Sequence, residues 1–455
     1  MNLPFRRIYL VGIKGSGMAR LALLLANGGC RIGGCDTQED FFTDRSLVEA
    51  GIVPDLGFDR SNLNGTWDAV IHSAAYPPST DILIHAKERG IPLYSYPEFL
   101  ALLSTLRPTY LVIGTHGKTT TSAMADHLLG EEGGYWAIYG STLLKRSNSS
   151  GKKSRFFLFE GCEYQDHFLL YRTSGAVLLS VEYDHPDYFG DLADVHDSFR
   201  RFVDGIEQGG FFIYNNDQTG SRAIGEYAKA RRTDLLVLSF GFDPESDYPI
   251  IEEQKFHYRI GEIDTHITVG TPELVTDHLG ALLLASMIPE KRIDPVRMKG
   301  LAMRLATFGG VVGRLEYMGE RAGILFFDDY AHHPSEIIVS LREMRTRFPG
   351  RKILVLFMPH TATRTHALLE EFAAALRGAD QLILQPTYAS ARKDEETDPL
   401  ALYALLKADT DCTYAADDEE AVAQALMRLK EGWLCITMGA GNNRALNSRF
   451  LRSVP

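Results

Sequence analysis

The octapeptide Gly114-Thr115-His116-Gly117-Lys118-Thr119-Thr120-Thr121 holds the residue types that phosphate chemistry needs. Glycines let backbone N–H groups approach an anion closely, and a helix N-terminus adds the positive end of its dipole. Lys118 at the end of such a loop reaches the outer phosphates of a polyphosphate, and the Thr119 hydroxyl after it can ligand Mg²⁺. The full Walker spacing asks for glycine at 112, where this chain has Val112. A strand-to-helix corner with an incidental lysine is the plainer alternative. Further on, Glu160 closes the apolar run Phe156-Phe157-Leu158-Phe159, and Glu163 follows three residues later. The run Ala176 to Val181 delivers Glu182-Tyr183-Asp184-His185-Pro186-Asp187. In a parallel sheet both strand ends open on the side of the phosphate loop, so Glu160 and His185 are expected to converge there. Mg²⁺ prefers oxygen ligands, and His185 suits a second or shared divalent position. The bland reading makes both residues ordinary polar strand ends.

These residues need strands that end together and helices that begin beside them. Tyr110-Leu111-Val112-Ile113 reads as the strand before the loop, and Ser122 to Leu129 as the helix after it. An earlier strand, Ile8-Tyr9-Leu10-Val11, enters Gly12-Ile13-Lys14-Gly15-Ser16-Gly17-Met18, and a helix and a second strand ending at Asp36 follow. That is a βαβ unit with an acidic residue about 20 positions on, although the glycine spacing is G-x-x-G-x-G. It supports a diphosphate at the helix start, or merely close packing of helix on sheet. Asp68 to His72 leads into the loop Ser73-Ala74-Ala75 at a strand's C-terminal end. Lys145 to Ser154 is polar and serine-rich and reads as a mobile loop. In the last third, strands ending in Asp328-Asp329-Tyr330-Ala331-His332-His333-Pro334, in His360-Thr361-Ala362-Thr363-Arg364, in Pro386-Thr387-Tyr388-Ala389 and in Gly439-Ala440-Gly441-Asn442 give another doubly wound sheet. The paired histidines before Pro334 have a second reading as a helix cap. The expected fold is α/β in three domains: a Rossmann-like domain over 1–106, a P-loop ATPase-like domain with a mostly parallel sheet over 107–310, and a Rossmann-like domain over 311–455. Gly309, Gly310 and Gly313 are expected to form a hinge.

The composition is that of a globular chain. Of 455 residues, 45% are hydrophobic and 23% charged, with a net charge of −12 and no basic block. Nucleic acid is therefore not an expected partner. Cys30, Cys35, Cys162, Cys412 and Cys435 lack CxxC spacing, which argues against a zinc or disulfide framework and fits a reducing cytoplasm. Met1 to Arg7 lacks a signal-peptide layout, and no apolar run is long enough to span a bilayer.

Taken together, Gly-Thr-His-Gly-Lys-Thr-Thr-Thr, Glu-Gly-Cys-Glu-Tyr and Glu-Tyr-Asp-His-Pro-Asp resemble the motifs of the Mur ligases of peptidoglycan synthesis. Val11-Gly12-Ile13-Lys14-Gly15-Ser16-Gly17-Met18 and Asp328-Asp329-Tyr330-Ala331-His332-His333-Pro334 are similar to the branch that adds L-alanine to UDP-N-acetylmuramate, or to the branch that reattaches murein tripeptide. The resemblance implies ATP and Mg²⁺ (or Mn²⁺), an acyl phosphate, and attack by the amine. It implies catalytic roles for Lys118, Glu160, His185, His333 and Arg364. ATP would meet Gly114, Thr115, His116, Gly117, Lys118, Thr119, Thr120, Arg314, Asp328 and Asp329, with metal on Thr119, Glu160 and His185. The UDP-sugar would meet Gly15, Ser16, Gly17, Met18, Asp36, Ser73 and Ala75. The amino acid would face His332, His333, His360 and Arg364. The expected partners are these small molecules, with neither nucleic acid nor membrane, and the chain itself a monomer or weak homodimer.

Several Mur relatives carry a carbamylated lysine, but no lysine lies between Lys153 and Lys229 here, which agrees with the two branches named. Departures from the family pattern are Ser180 for a common Asn, Thr276-Asp277-His278-Leu279-Gly280 for His-Asn-x-x-Asn, and Thr361 for an Arg. Two other classes stay open. A nicotinamide-dependent dehydrogenase would use the first βαβ unit, though it has no need of a second phosphate loop. A non-catalytic sensor of UDP-sugar or ATP would account for Ser180 and Gly280.

Overall fold

A computed structural model of the chain describes residues 3–39, 41–130, 133–141, 143–144, 154–254, 257–261, 263–268, 271–388, 399–439, 441 and 443–453. Of the expected polar loop, residues 145–153 lie outside them, as do Ala389, Ala440 and Asn442. The chain divides into two compact units. One comprises Met1–Glu182, Leu192–Ile267 and Thr276–Gly309, and the other Tyr183–Asp191, Thr268–Val275 and Gly310–Pro455.

Among the described residues, the first unit contains two sheets. Its five-stranded sheet runs Asp55–Leu56, Arg31–Asp36, Arg7–Val11, Ala69–His72, Leu93–Ser95, every neighbouring pair parallel. The order reverses beside Arg7–Val11, so a crevice opens at the C-terminal end of that strand, where Gly12 to Gly17 lie. The nine-stranded sheet runs Ile263–Thr268, His257–Ile260, Tyr248–Gln254, Leu236–Gly241, Ile206–Asn215, Thr173–Leu178, Thr109–Ile113, Phe156–Gly161, Tyr135–Ile138. It is parallel from Tyr135–Ile138 through to Tyr248–Gln254, and turns antiparallel at His257–Ile260. All five residues of Thr109–Ile113 are buried, as a central parallel strand covered on both faces must be. Its neighbours are the strand that delivers Glu160 and the strand that leads to Ser180. The second was expected to run to Val181 but ends at Leu178, because Ser180 turns its backbone and hydroxyl onto the phosphate loop.

Two helices join these sheets. Helix Ser16–Asn27 buries Arg20, whose Nε donates to Ala137 O at 2.8 Å. Helix Lys118–Leu129 buries Asp126, which takes Arg20 at 3.3 Å and the hydroxyls of Tyr135 and Tyr139 at 2.7 and 2.8 Å. The buried charges are thus paired and hydrogen-bonded, the condition under which such a pair can persist.

Among the described residues, the second unit has one six-stranded sheet: Glu316–Arg321, Ile324–Asp329, Leu434–Gly439, Ile353–Met358, Gln381–Leu384, Cys412–Tyr414. Only the edge strand Glu316–Arg321 is antiparallel. Side chains alternate with period two. Phe327, Val355, Phe357, Leu382, Ile436 and Met438 enter one core, and Phe326, Leu354, Leu356, Ile383 and Cys435 the opposite one. Each fully buried large apolar side chain contributes about 1.5–3 kcal/mol. Four strands were legible in the sequence here. The two missed are edge strands, where burial pattern is weakest.

Candidate active site

In the first unit, the phosphate loop can only be built with glycine at two positions. Gly114 has φ +137° and Gly117 φ +79°. A Cβ on Gly114 would fall 2.9 Å from the backbone of Ser180, and one on Gly117 2.5 Å from Asp277 Oδ1. Three bonds pin the loop. Thr115 N–H donates to Ser180 O at 2.9 Å, His116 N–H to Ser180 Oγ at 2.9 Å, and Glu182 N–H to Thr115 Oγ1 at 2.8 Å. Ser180 therefore does a definite job at the position where Asn is common. The His116 ring lies 3.4 Å from Glu182, and Thr120 is half-buried in the first helical turn.

Lys118 is folded inward. Its Nζ donates to Gly114 O at 2.5 Å, Thr115 O at 3.0 Å and the Glu163 carboxylate at 2.8 and 3.1 Å. Burial works against the ammonium charge, but the Glu163 and Glu160 carboxylates outweigh it and hold Lys118 above its ordinary value. Beside it the Thr119 hydroxyl lies 3.0 and 2.9 Å from the two Glu160 oxygens, and Gly140 N–H donates to Glu160 Oε2 at 2.8 Å. A Cβ on Gly140 would fall 3.2 Å from Thr119 Oγ1 and 3.5 Å from Glu160 Oε2. Oxygen donors that converge beside a space kept open by a glycine fit a hard cation such as Mg²⁺.

The glycine loop of the five-stranded sheet is held by its own backbone. Gly12 has φ +81° and lies against Tyr76, whose ring a Cβ would meet at 2.5 Å. Gly15 caps helix Ser16–Asn27 without a side chain, and Ser16 is half-buried. Gly17 lies under the Tyr96 hydroxyl, 2.7 Å from where its Cβ would be, and Met18 is buried. Asp36 accepts Lys14 N–H at 2.6 Å, Thr37 N–H at 2.8 Å and the Tyr76 hydroxyl at 3.2 Å. Its carboxylate fastens the loop. Ser73 Oγ accepts Ala75 N–H at 3.3 Å.

The second unit holds the remaining expected residues. Arg364 grips Asp184 with Nε to Oδ1 at 2.8 Å and Nη2 to Oδ2 at 3.2 Å, both side chains buried. Thr361, standing where the family has Arg, caps helix Ala362–Ala367. His185 has φ +56°, and its N–H donates to Asp184 Oδ1 at 2.6 Å. His333 caps helix Pro334–Arg347, its Nδ1 accepting Ser335 N–H at 3.3 Å, so the capping alternative is realised. His332 N–H donates to Glu336 at 3.0 Å, and its ring meets His360 edge-on at 5.4 Å. His360 in turn stacks towards Tyr388 at 6.4 Å. Arg314 lies 3.5 Å from Glu336 and over the Tyr330 ring. Burial pushes His332 down to about 4 despite Glu336, and it pushes Asp329 up to about 6 despite Ser340 and Arg314. Asp328 accepts Thr437 Oγ1 at 2.9 Å and Arg444 at 3.1 Å, and burial raises it too. The expected residues thus fall into two groups, with Lys118, Thr119 and Glu160 together in the first unit, and His185, Asp328, His332, His333, His360 and Arg364 in the second. Sequence reasoning missed Gly140, Asp184 and Glu336, and gave Glu163 no role. The i, i+3 spacing from Glu160 was the one available signal for Glu163.

Three stretches match Mur ligase domain descriptions: the Mur ligase family catalytic domain over residues 7–107, the Mur ligase middle domain over 112–276, and the Mur ligase glutamate ligase domain over 313–441. The chain is 38% identical over 460 residues to UDP-N-acetylmuramate--L-alanine ligase of Treponema pallidum (strain Nichols), covering 96% of this chain and 94% of that one. Among solved structures, UDP-N-acetylmuramate-alanine ligase MurC from Thermotoga maritima superposes with a TM-score of 0.78 at 20% identity, covering 98% of both chains. A murein peptide ligase from Psychrobacter arcticus 273-4 superposes with a TM-score of 0.74 at 21% identity, over 99% of this chain and 98% of that one. At such identities the two structures establish the α/β Mur ligase fold.

Proposed function

The chain belongs to the Mur ligase family, and on that premise we propose that it is an ATP-dependent ligase joining L-alanine to UDP-N-acetylmuramate for peptidoglycan precursors. The observation that carries this reading is the Lys118–Thr119–Glu160 seat, found in a chain whose curated relative of matching length is named for that reaction. The first βαβ unit then serves a ligase, since the matched catalytic domain runs through it.

The bound nucleotide supplies a phosphoryl group that turns the muramate carboxylate into an acyl donor, from which the amine displaces phosphate. In-line phosphoryl transfer asks mainly for positioning and charge neutralisation. The N–H groups of Thr115 and His116 are held by Ser180, so the N–H groups at the start of helix Lys118–Leu129, after Gly117, are the ones offered to the phosphates, Lys118 offers its charge, and Thr119 with Glu160 would hold Mg²⁺. His185 is assigned a second divalent position. The loop from Gly15 to Met18, with Asp36, Ser73 and Ala75, is assigned the UDP-sugar. His332, His333, His360 and Arg364 are assigned the amino acid, and Arg314, Asp328 and Asp329 the nucleotide's sugar and base side. In this reading the domains are 1–106, 107–310 and 311–455, and the chain works in the cytoplasm, where the nucleotide substrates are. Among the described residues no helix is long and apolar enough to cross a membrane.

The test is phosphate release from MgATP with UDP-N-acetylmuramate plus L-alanine, and separately with murein tripeptide as the amine. Release that needs both sugar and L-alanine is expected, with Lys118→Ala at least about a hundredfold slower while still binding the sugar nucleotide. Release with tripeptide alone moves the chain to the recycling branch. Silence in both arms overturns the ligase reading.

A further inference from the structure

We propose that Tyr96 is a further substrate-orienting residue: its hydroxyl donates a hydrogen bond to the arm of the sugar nucleotide that runs from the diphosphate to the carboxylate, and so holds that carboxylate towards the Thr119–Glu160 seat. The proposal rests on the loop from Gly15 to Met18 being the sugar-nucleotide site.

Four observations support it. The first is where the fold puts the ring. Strand Leu93–Ser95 pairs in parallel with Ala69–His72, so its end opens on the same crevice as the glycine loop. Ser95 caps the helix that follows, Tyr96–Ser104, its N–H donating to Glu98 Oε2 at 2.7 Å, and Pro97 stands in the first turn, so Tyr96 leaves the strand at a fixed angle. Next, the phenol end lies over the loop. A Cβ on Gly17 would fall 2.7 Å from the Tyr96 hydroxyl and 2.9 Å from its Cζ. Gly17 is not among the residues with positive φ, so the ring, and not the backbone, excludes a side chain there. Third, the same hydroxyl lies in the field of the other seat. Helix Tyr96–Ser104 packs against Tyr164–Leu170, the segment that follows Glu160 to Glu163. Burial chiefly, then the Glu160 carboxylate and the Cys162 thiol, push the phenol's pKa up, so it stays a neutral donor, the form that suits a carboxylate or ether oxygen. Finally, among the described residues the half-buried hydroxyl has no hydrogen-bond partner, so its proton is available to a ligand. The diphosphate belongs at the start of helix Ser16–Asn27, and the carboxylate must reach Thr119 and Glu160. The arm between them passes the group that borders both.

The experiment is calorimetric titration of the full chain with UDP-N-acetylmuramate, with UDP alone and with MgATP, for the parent, Tyr96→Phe, Gly17→Ala and the double variant. In Tyr96→Phe, UDP-N-acetylmuramate should bind about fivefold to tenfold more weakly, while UDP and MgATP stay within about twofold. The thermal midpoint should not fall, since the hydroxyl bonds nothing in the described protein. Gly17→Ala pushes the phenol end off the loop, so it should weaken UDP-N-acetylmuramate too, and adding Tyr96→Phe to it should cost nothing further. Unchanged binding of UDP-N-acetylmuramate in Tyr96→Phe overturns the proposal, because the ring is then packing alone. Equal weakening of UDP overturns it by moving the donor to the diphosphate, and equal weakening of all three ligands with a lowered midpoint overturns it as a structural brace. Losses that add in the double variant overturn the link between Gly17 and Tyr96 on which it stands. Should Tyr96→Phe fail to fold, a Gly17→Ala chain that binds UDP-N-acetylmuramate like the parent overturns it as well. A parent that does not bind the sugar nucleotide defeats the reading of the glycine loop itself, whereas a parent that binds it as tightly as Tyr96→Phe defeats only the role of Tyr96.

Discussion

Gly140 shows how little space the Thr119–Glu160 pair has to spare. Its backbone does not need glycine, since its φ is not among the positive ones, so a methyl there acts through space alone. Gly140→Ala should slow phosphate release by about tenfold to a hundredfold. Sugar-nucleotide binding and the thermal midpoint should stay near the parent's. An unchanged rate would mean that nothing occupies the space beside Thr119 during turnover. The contrast between residues read correctly and residues missed follows the same logic. Lys118, Thr119 and Glu160 are legible because glycine, lysine and hydroxyl at fixed offsets have few other uses. Gly140 and Glu163 acquire their roles from what the fold sets opposite them, and a one-dimensional pattern does not record that. Asp36 was legible as an acidic residue at a strand end, but its three bonds to Lys14, Thr37 and Tyr76 were not.

Among the elements, helix starts carry much of the second unit's chemistry. His333 and Thr361 each cap a helix, and those helices also present Glu336 and Arg364. Arg364 and Asp184 form a buried fork-to-carboxylate pair, and removing one member leaves the other charge without its partner. Arg364→Met is therefore expected to lower stability by about 3–5 kcal/mol, with much of that recovered in Arg364→Met/Asp184→Leu. Urea unfolding of the two variants checks it, and additive losses would show that the pair contributes little. The central strands were readable from their apolar runs and polar ends. The hairpin of Tyr248–Gln254 with His257–Ile260 was not, because its half-exposed residues lack a continuous apolar signal.

For the molecule as a whole, His332 and Asp329 set opposing responses to acid. His332 titrates at about 4 in the folded chain against 6.5 ordinarily, so between those values the unfolded chain binds the extra proton and stability falls as pH falls. Asp329 titrates at about 6 against 3.8, so the folded chain binds the proton first and stability rises as pH falls through that window. The two effects nearly offset each other between pH 6 and 4. Between pH 7 and pH 5, Asp329→Asn should lose about 1–2 kcal/mol more than the parent, and His332→Gln correspondingly less, as measured by urea midpoints. Equal slopes in all three proteins would show that neither group is perturbed. The three-sheet α/β plan was legible because its strands alternate with helices. That the second unit draws in 183–191 and 268–275 was not, since neither stretch has a periodicity of its own. The last strand made, Leu434–Gly439, pairs with Ile324–Asp329 on one side and Ile353–Met358 on the other. During synthesis the ribosome must therefore deliver nearly the whole chain before that sheet can close, and Asp184 leaves the exit tunnel long before Arg364 exists to meet it. A chain stalled before residue 434 holds a sheet with its middle missing, an exposed pair of strand edges of the kind that chaperones cover and proteases find.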